Sequence, residues 1–184
     1  MSLKHAREVW NKTPDWTDNT PEAQFVRTAA EQAIRINAFA NNGKDNGGEV
    51  YTPRWVIVDM IKLCEEQAAD LNKSILDQCC GTGNFIAELL CIRFISAIKL
   101  RNNFEKNLYT GISNLYAIDF VPDSITKCKQ RLTNISAAIL TALVQANCIQ
   151  QEDADRILCN LNIIFEHNIV SGDALLYRFK DGED

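Results

Sequence analysis

The sequence predicts an α/β fold of the open, doubly wound class, and three observations carry that prediction. Short β-prone runs alternate with stretches of helical period. Three of those runs lead to an acidic residue, Asp77, Asp119 and Asp173. The first also enters a glycine turn that opens straight into a helical stretch. Such alternation marks a parallel sheet, with helices expected on both faces. In this class ligands bind beyond the carboxyl ends of the strands, where the three acids fall. With 184 residues, 46% hydrophobic and 23% charged, the chain suits one ordered domain with a real core.

Thr20-Pro21 reads as a helix start, with Thr as N-cap and Pro at the first helical position. This helix is expected to run through Phe25, Ala29, Ala33 and Ile36, and to stop before Asn41-Asn42-Gly43. Residues 1–46 are therefore read as an N-terminal helical segment, with Trp10 and Trp16 packing it, and 47–184 as the ligand-binding domain. Asn41 to Gly48 is a polar, glycine-rich loop. A second helix starts at Thr52-Pro53, with an apolar stripe of Trp55, Val56, Met60, Ile61 and Cys64. Ser74-Ile75-Leu76 is the first strand, Asn84 to Lys99 a helix, and Leu115 to Ile118 the second strand, ending at Asp119. A long helix follows from Ser124 to about Ala146 with Asp123 as N-cap, then a short helix near Asp153. Asn168-Ile169-Val170 makes the third strand, before Ser171-Gly172-Asp173.

The net charge of −5 and the lack of any Lys/Arg run argue against a chain that grips nucleic acid unaided. Of seven cysteines, Cys64, Cys91, Cys128, Cys148 and Cys159 are expected as small buried thiols on helices. No pair has zinc spacing, so neither metal nor disulfide is expected. No signal peptide and no apolar run of membrane length are visible, and the expected location is cytoplasmic.

The chemistry centres on Asp77-Gln78-Cys79-Cys80-Gly81-Thr82-Gly83-Asn84-Phe85. Gly81 and Gly83 allow backbone to approach a ligand closely. The third glycine of the dinucleotide fingerprint is absent, since Ile86 stands there. Asp77 would repel a pyrophosphate but attract an ammonium, so the turn suits a cationic ligand and disfavours a nicotinamide-dependent oxidoreductase. A carboxylate at the next strand end, Asp119, has the lone pairs to accept both ribose hydroxyls, with Phe120 placed against an adenine face. The bland alternatives are that Asp119 caps the following helix and Phe120 is core. Asp173 is placed to accept from an adenine amino group while the Ala174 N–H serves a ring nitrogen; alone, this is a turn.

Gly48-Glu49-Val50-Tyr51-Thr52-Pro53 followed by the glycine motif resembles the N6-adenine DNA methyltransferases of restriction-modification systems, in which a Thr-Pro motif precedes the glycine motif. The resemblance covers about Gly47 to Ala174, with Gln78 where the family usually has Pro. It implies a partial, Rossmann-like doubly wound sheet that binds S-adenosyl-L-methionine. Tyr51, Thr52 and Pro53 would line the methionine end. Asp77, Gly81 and Gly83, with Phe85 beside them, would hold its amino-acid group. Asp119 and Phe120 would take ribose and adenine, and Asp173 with Ala174 the adenine edge.

The family's reaction also needs Asn or Asp followed by Pro-Pro and an aromatic residue. The four prolines, Pro14, Pro21, Pro53 and Pro122, include no adjacent pair. Asn160 and Asn162 lack prolines and are not promoted. The expectation is a cofactor-binding part of a DNA adenine methyltransferase that stops before the catalytic strand and transfers no methyl group itself. DNA would be engaged only through further C-terminal regions, and an open sheet edge is expected to be covered by a homodimer or a domain swap. The alternative is a non-catalytic interaction module derived from such an enzyme.

Overall fold

The computed structural model describes residues 28–29, 52–100, 103–176 and 178–179. The Asn41–Gly48 loop, Trp10, Trp16 and Tyr51 lie outside the described residues. So does most of the helix expected from Thr20, of which residues 28 and 29 are described and helical.

Pro53 leads into α1 (Arg54–Lys62) as its N-cap, with φ −61 and ψ 144, extended backbone that the proline ring favours. Its buried face is Ile57 and Ile61, one turn apart. Trp55 and Met60, expected in the apolar stripe, are exposed instead. The short α2 (Glu65–Ala69) carries Glu65 and Glu66 in its first turn, where carboxylates oppose the helix dipole. Strand β1 (Ile75–Asp77) follows, and then α3 (Asn84–Lys99).

Helix α3 is apolar nearly all round and is accordingly the centre of the core. Ile86, Leu89, Leu90, Phe94 and Ile95 are all buried within it. Helices α1, α2 and α4 (Phe104–Ser113), strand β2 (Leu115–Asp119) and α5 (Pro122–Gln145) all contact it. Two charged residues on α3 are buried as well, and both have partners. Glu88 pairs with Arg54 of α1. Arg93 donates to the carbonyls of Lys73 at 2.8 Å and Gln67 at 3.4 Å, tying α2 to the approach of β1. Burial pulls the Arg93 guanidinium down to about 10, partly offset by the Asp70 carboxylate.

Strands β1, β2 and β3 (Ile169–Asp173) are parallel and lie in that order, with Leu76 opposite Tyr116 and Asp119 opposite Ser171. The two-residue β4 (Arg178–Phe179) runs antiparallel to β3. The sheet departs from expectation in one respect that matters. Leu115 and Ala117 are buried against the helices at 3% and 0% exposure, whereas Leu76 and Tyr116 on the opposite face are 48% and 39% exposed. Helices α3, α4, α5 and α6 (Gln151–Asn168) pack on one another as a single layer, so among the described residues one face is covered rather than both. Among those residues β1 pairs with β2 alone and leaves an open edge.

Further expectations need correction. Asp123 does not cap α5: Val121 is the N-cap, and Asp123 sits inside the first turn, paired with Lys127 at 2.6 Å. Proline, rather than the acid, sets the start of that helix, because its missing N–H costs nothing in a first turn. Helix α6 is not short but 18 residues long, with Ala154, Ile157, Leu161 and Phe165 buried against its neighbours. Helix α4 was not foreseen; Leu108 and Ile112 bury its inner face after Asn103 turns the chain at φ 59. Cys91 and Cys128 are buried on helices, but Cys148 and Cys159 are exposed and Cys64 is half-buried. Helical period alone does not say which face a small thiol occupies.

Asn114, after α4, holds two approaches to the sheet together. Its side-chain amide donates to Leu71 O at 2.9 Å and Thr110 O at 3.0 Å, and its side-chain oxygen accepts from Ser74 at 3.0 Å. Its backbone carbonyl accepts from Ile75, the first residue of β1. Asn114→Ala is therefore expected to cost about 1–2 kcal/mol, because part-buried acceptors are left unmade. Urea denaturation checks it, and an unchanged midpoint would show that water replaces the side chain without loss.

Candidate functional site

The carboxyl ends of β1 and β2 open on a cleft of about 550 Å³, the size of a small-molecule site. Thr52, Ile57 and Met60 form one wall; Leu76 to Gly81, Asn84 and Phe85 form the floor; Asp119 and Val121 close the far side. Of the residues singled out in the sequence, Thr52, Asp77, Gly81, Phe85 and Asp119 thus meet in one place. Gly83 lies just behind the turn as the N-cap of α3. Pro53 is exposed and caps α1. Phe120 follows the β2 end at 61% exposure and does not line the cleft.

Asp173 ends β3 on the same edge of the sheet, two residues beyond the register partner of Asp119. Its carboxylate accepts N–H groups from Leu175 at 3.0 Å and Leu176 at 3.2 Å, so it closes a turn. Ala174 is part of that turn, and neither residue lines the cleft.

Both glycines of the turn have positive φ, +52 at Gly81 and +84 at Gly83, but their surroundings differ. A Cβ on Gly81 would meet nothing within 4 Å, so the backbone there borders open space. One on Gly83 would sit 2.5 Å from the Cys128 sulfur of α5. The first glycine leaves room for a ligand, and the second lets α5 close against the turn.

The two acids differ as well. Asp119 accepts the Gly81 N–H at 2.8 Å on one oxygen and the Val121 N–H at 2.9 Å on the other. It staples the glycine turn to the end of β2, so the bland capping role and a ligand role are not exclusive: each oxygen keeps a lone pair. Among the described residues Asp77 accepts one long hydrogen bond, from the Cys79 N–H at 3.3 Å. Burial, and secondarily the Asp119 carboxylate, push its carboxyl above the usual aspartate range, against the pull of that N–H. An under-solvated carboxylate of this kind gains from a cation. The neighbouring Cys80 thiol is held far up by the Cys128 thiol and by burial, so it stays uncharged and is no nucleophile.

Among the described residues, helix α3 begins at the floor of the cleft with no side-chain cap, and its first turn holds no acidic residue. Its positive end is thus available to an anion. The cleft presents a negative pole at Asp77 and a positive pole at the start of α3, which matches a zwitterionic amino acid. Ile57, Met60, Leu76, Gln78, Cys79, Cys80, Asn84 and Val121 also line the cleft, though sequence reasoning gave none of them a site role. For Asn84 the signal was present, since it directly follows the second glycine.

No described helix is long and apolar enough to cross a membrane, and no cluster of metal-ligating side chains occurs among the described residues. Residues 29–113 match the family model described as N-6 DNA Methylase. No curated protein and no solved structure matches the chain.

Proposed function

We propose, for a chain whose residues 29–113 match the N-6 DNA Methylase family model, that its cleft binds S-adenosyl-L-methionine for the methylation of adenine in DNA. The observation that carries this reading is the pairing of a half-buried, weakly satisfied Asp77 with an uncapped helix start across one cleft. Asp77 holds the ammonium, and the amino end of α3 receives the carboxylate. Asp119 offers its remaining lone pairs to the ribose hydroxyls, and Met60, Ile57 and Phe85 supply apolar wall. Phe120, exposed beside Asp119, stacks on the adenine; Asp173 and Ala174, further along the same sheet edge, read its edge. Thr52 and Pro53, with Tyr51, border the methionine end. When bound, the cofactor supplies an electrophilic methyl group on its sulfonium.

The sequence has no adjacent prolines, so it offers no Asn/Asp-Pro-Pro-aromatic element for positioning a target amine. We assign the chain cofactor capture without methyl transfer of its own. Isothermal titration with S-adenosylmethionine is expected to show one saturable site. Incubation with labelled cofactor and adenine-containing duplex is expected to leave the DNA unlabelled. Turnover would overturn the assignment, and flat titrations of folded protein would overturn the cofactor reading.

One observation favours a second reading, a methyltransferase-derived interaction module that no longer takes the ligand. Both oxygens of Asp119 are already engaged by backbone N–H groups. The same titration separates the two readings.

A further inference from the structure

Arg131 lies on α5, outside every motif of the cleft, and is buried. Its guanidinium passes behind the glycine turn. One terminal nitrogen donates to the carbonyl of Thr82 at 3.4 Å and to the side-chain oxygen of Asn84. The Asn84 amide in turn donates to the carbonyl of Thr52 at 3.4 Å, on the opposite wall. A single cation thereby ties α5 to the floor and, through one amide side chain, to the segment that starts α1. The Glu88 carboxylate acts on the same guanidinium, and Arg54 of α1 pairs with Glu88.

Packing alone does not call for this arrangement. Among the described residues the buried Arg131 Nε–H has no partner, which is a cost that an apolar side chain on the same helix would avoid. Burial also works against the charged form. What offsets these costs is local: an acceptor pair in the Gly81–Asn84 turn whose positions the guanidinium holds. Gly81 and Gly83 are both in the left-handed region, which glycine enters and leaves with equal ease, so the turn depends on its partners: the Asp119 staple, the Gly83–Cys80 bond and Arg131.

We propose that Arg131 is a positioning residue of the cleft, which acts through Asn84 and Thr82 to hold the glycine turn and the Thr52 wall in register for ligand. For its binding arm this inference rests on the cofactor reading. Its exchange arm does not.

The test uses the full chain with Arg131→Met, Arg131→Lys, Asn84→Ala and the Arg131→Met/Asn84→Ala double variant. In the ligand-free protein, amide hydrogen exchange is read at Gly81 and Gly83, whose N–H groups bond Asp119 and the Cys80 carbonyl. Arg131→Met and Asn84→Ala are expected to speed exchange there by about tenfold while Leu89 and Leu90 in α3 keep wild-type rates. Arg131→Lys, which keeps a donor able to reach both acceptors, is expected to restore slow exchange.

Titration with S-adenosylmethionine is expected to show an affinity loss of about tenfold in each single variant, with no further loss in the double. Unchanged turn exchange in Asn84→Ala and in any folded Arg131→Met sample would overturn the proposal, as would fully additive losses. If Arg131→Met does not fold, Asn84→Ala and Arg131→Lys decide it. Wild-type protein that binds no S-adenosylmethionine refutes the cofactor reading, and the exchange result still decides the role of Arg131.

Discussion

Gly83→Ala is expected to destabilise the protein by about 2–5 kcal/mol, combining left-handed backbone strain of about 1–2 with overpacking of about 1–3. The new methyl group would stand 2.5 Å from the Cys128 sulfur, and α5 cannot retreat without opening the core around Ile125 and Leu132. Gly81→Ala, with the same class of backbone conformation and open space at its Cβ, carries only the first part, about 1–2 kcal/mol. The comparison therefore separates strain from contact at two positions of one turn. Removing the sulfur as well, in Gly83→Ala/Cys128→Ala, is expected to cost less than the sum of the two single changes, because the clash vanishes. Denaturant midpoints of wild type, Gly81→Ala, Gly83→Ala, Cys128→Ala and the double variant measure this. Equal losses at Gly81 and Gly83 would mean that α5 gives way at Cys128 and that the close approach is not a constraint.

Asp77→Asn is expected to weaken S-adenosylmethionine binding on the order of a hundredfold, the scale of a charge pair lost in a partly buried site. The same change is expected to stabilise the ligand-free protein at neutral pH. The folded-state pKa of Asp77 lies above its ordinary value near 3.8, so the native state binds this proton more tightly than the unfolded state does. Stability from this group is therefore highest below pH 3.8, falls as pH rises toward the folded pKa, and stays lowered at pH 7. Asparagine never ionises, so that fall should be missing in the variant.

Thermal denaturation between pH 3 and 7 follows the two proteins, and titration of the same samples follows the ligand. A variant less stable than wild type at pH 7, or one that binds normally, would remove Asp77 from the ammonium role. Asp119→Ala is the less clean experiment, since it frees the Gly81 and Val121 N–H groups together. Its loss of binding would mix ligand contact with release of the turn.

Much of this site was legible as a one-dimensional pattern. Local chemistry sets where β1, α3, β2 and β3 begin and end: β-prone runs, a glycine turn, a helix-period apolar stretch, a proline at a first turn. The structure follows those signals to within a residue or two, except that β3 runs on to Asp173, three residues past Val170. The acids at the strand ends were legible for the same reason, because a parallel strand delivers its last residue to one edge of the sheet. Helix α4 was not legible. Its apolar residues are few and Asn102, Asn103 and Gly111 read as breakers; the helix exists because Leu108 and Ile112 find α3 and α6 to pack on.

By itself, then, the sequence determined the α/β alternation, the glycine turn and the acids at the strand ends, since these depend on neighbours within a few positions. Only the tertiary structure decided that the described helices lie on one face of the sheet, that Asp119 staples the turn while Asp77 stays under-solvated, and that Arg131 reaches the turn from α5. Burial, hydrogen-bond partners and electrostatic surroundings belong to residues that meet across tens of positions, and spacing along a chain does not encode which of them meet.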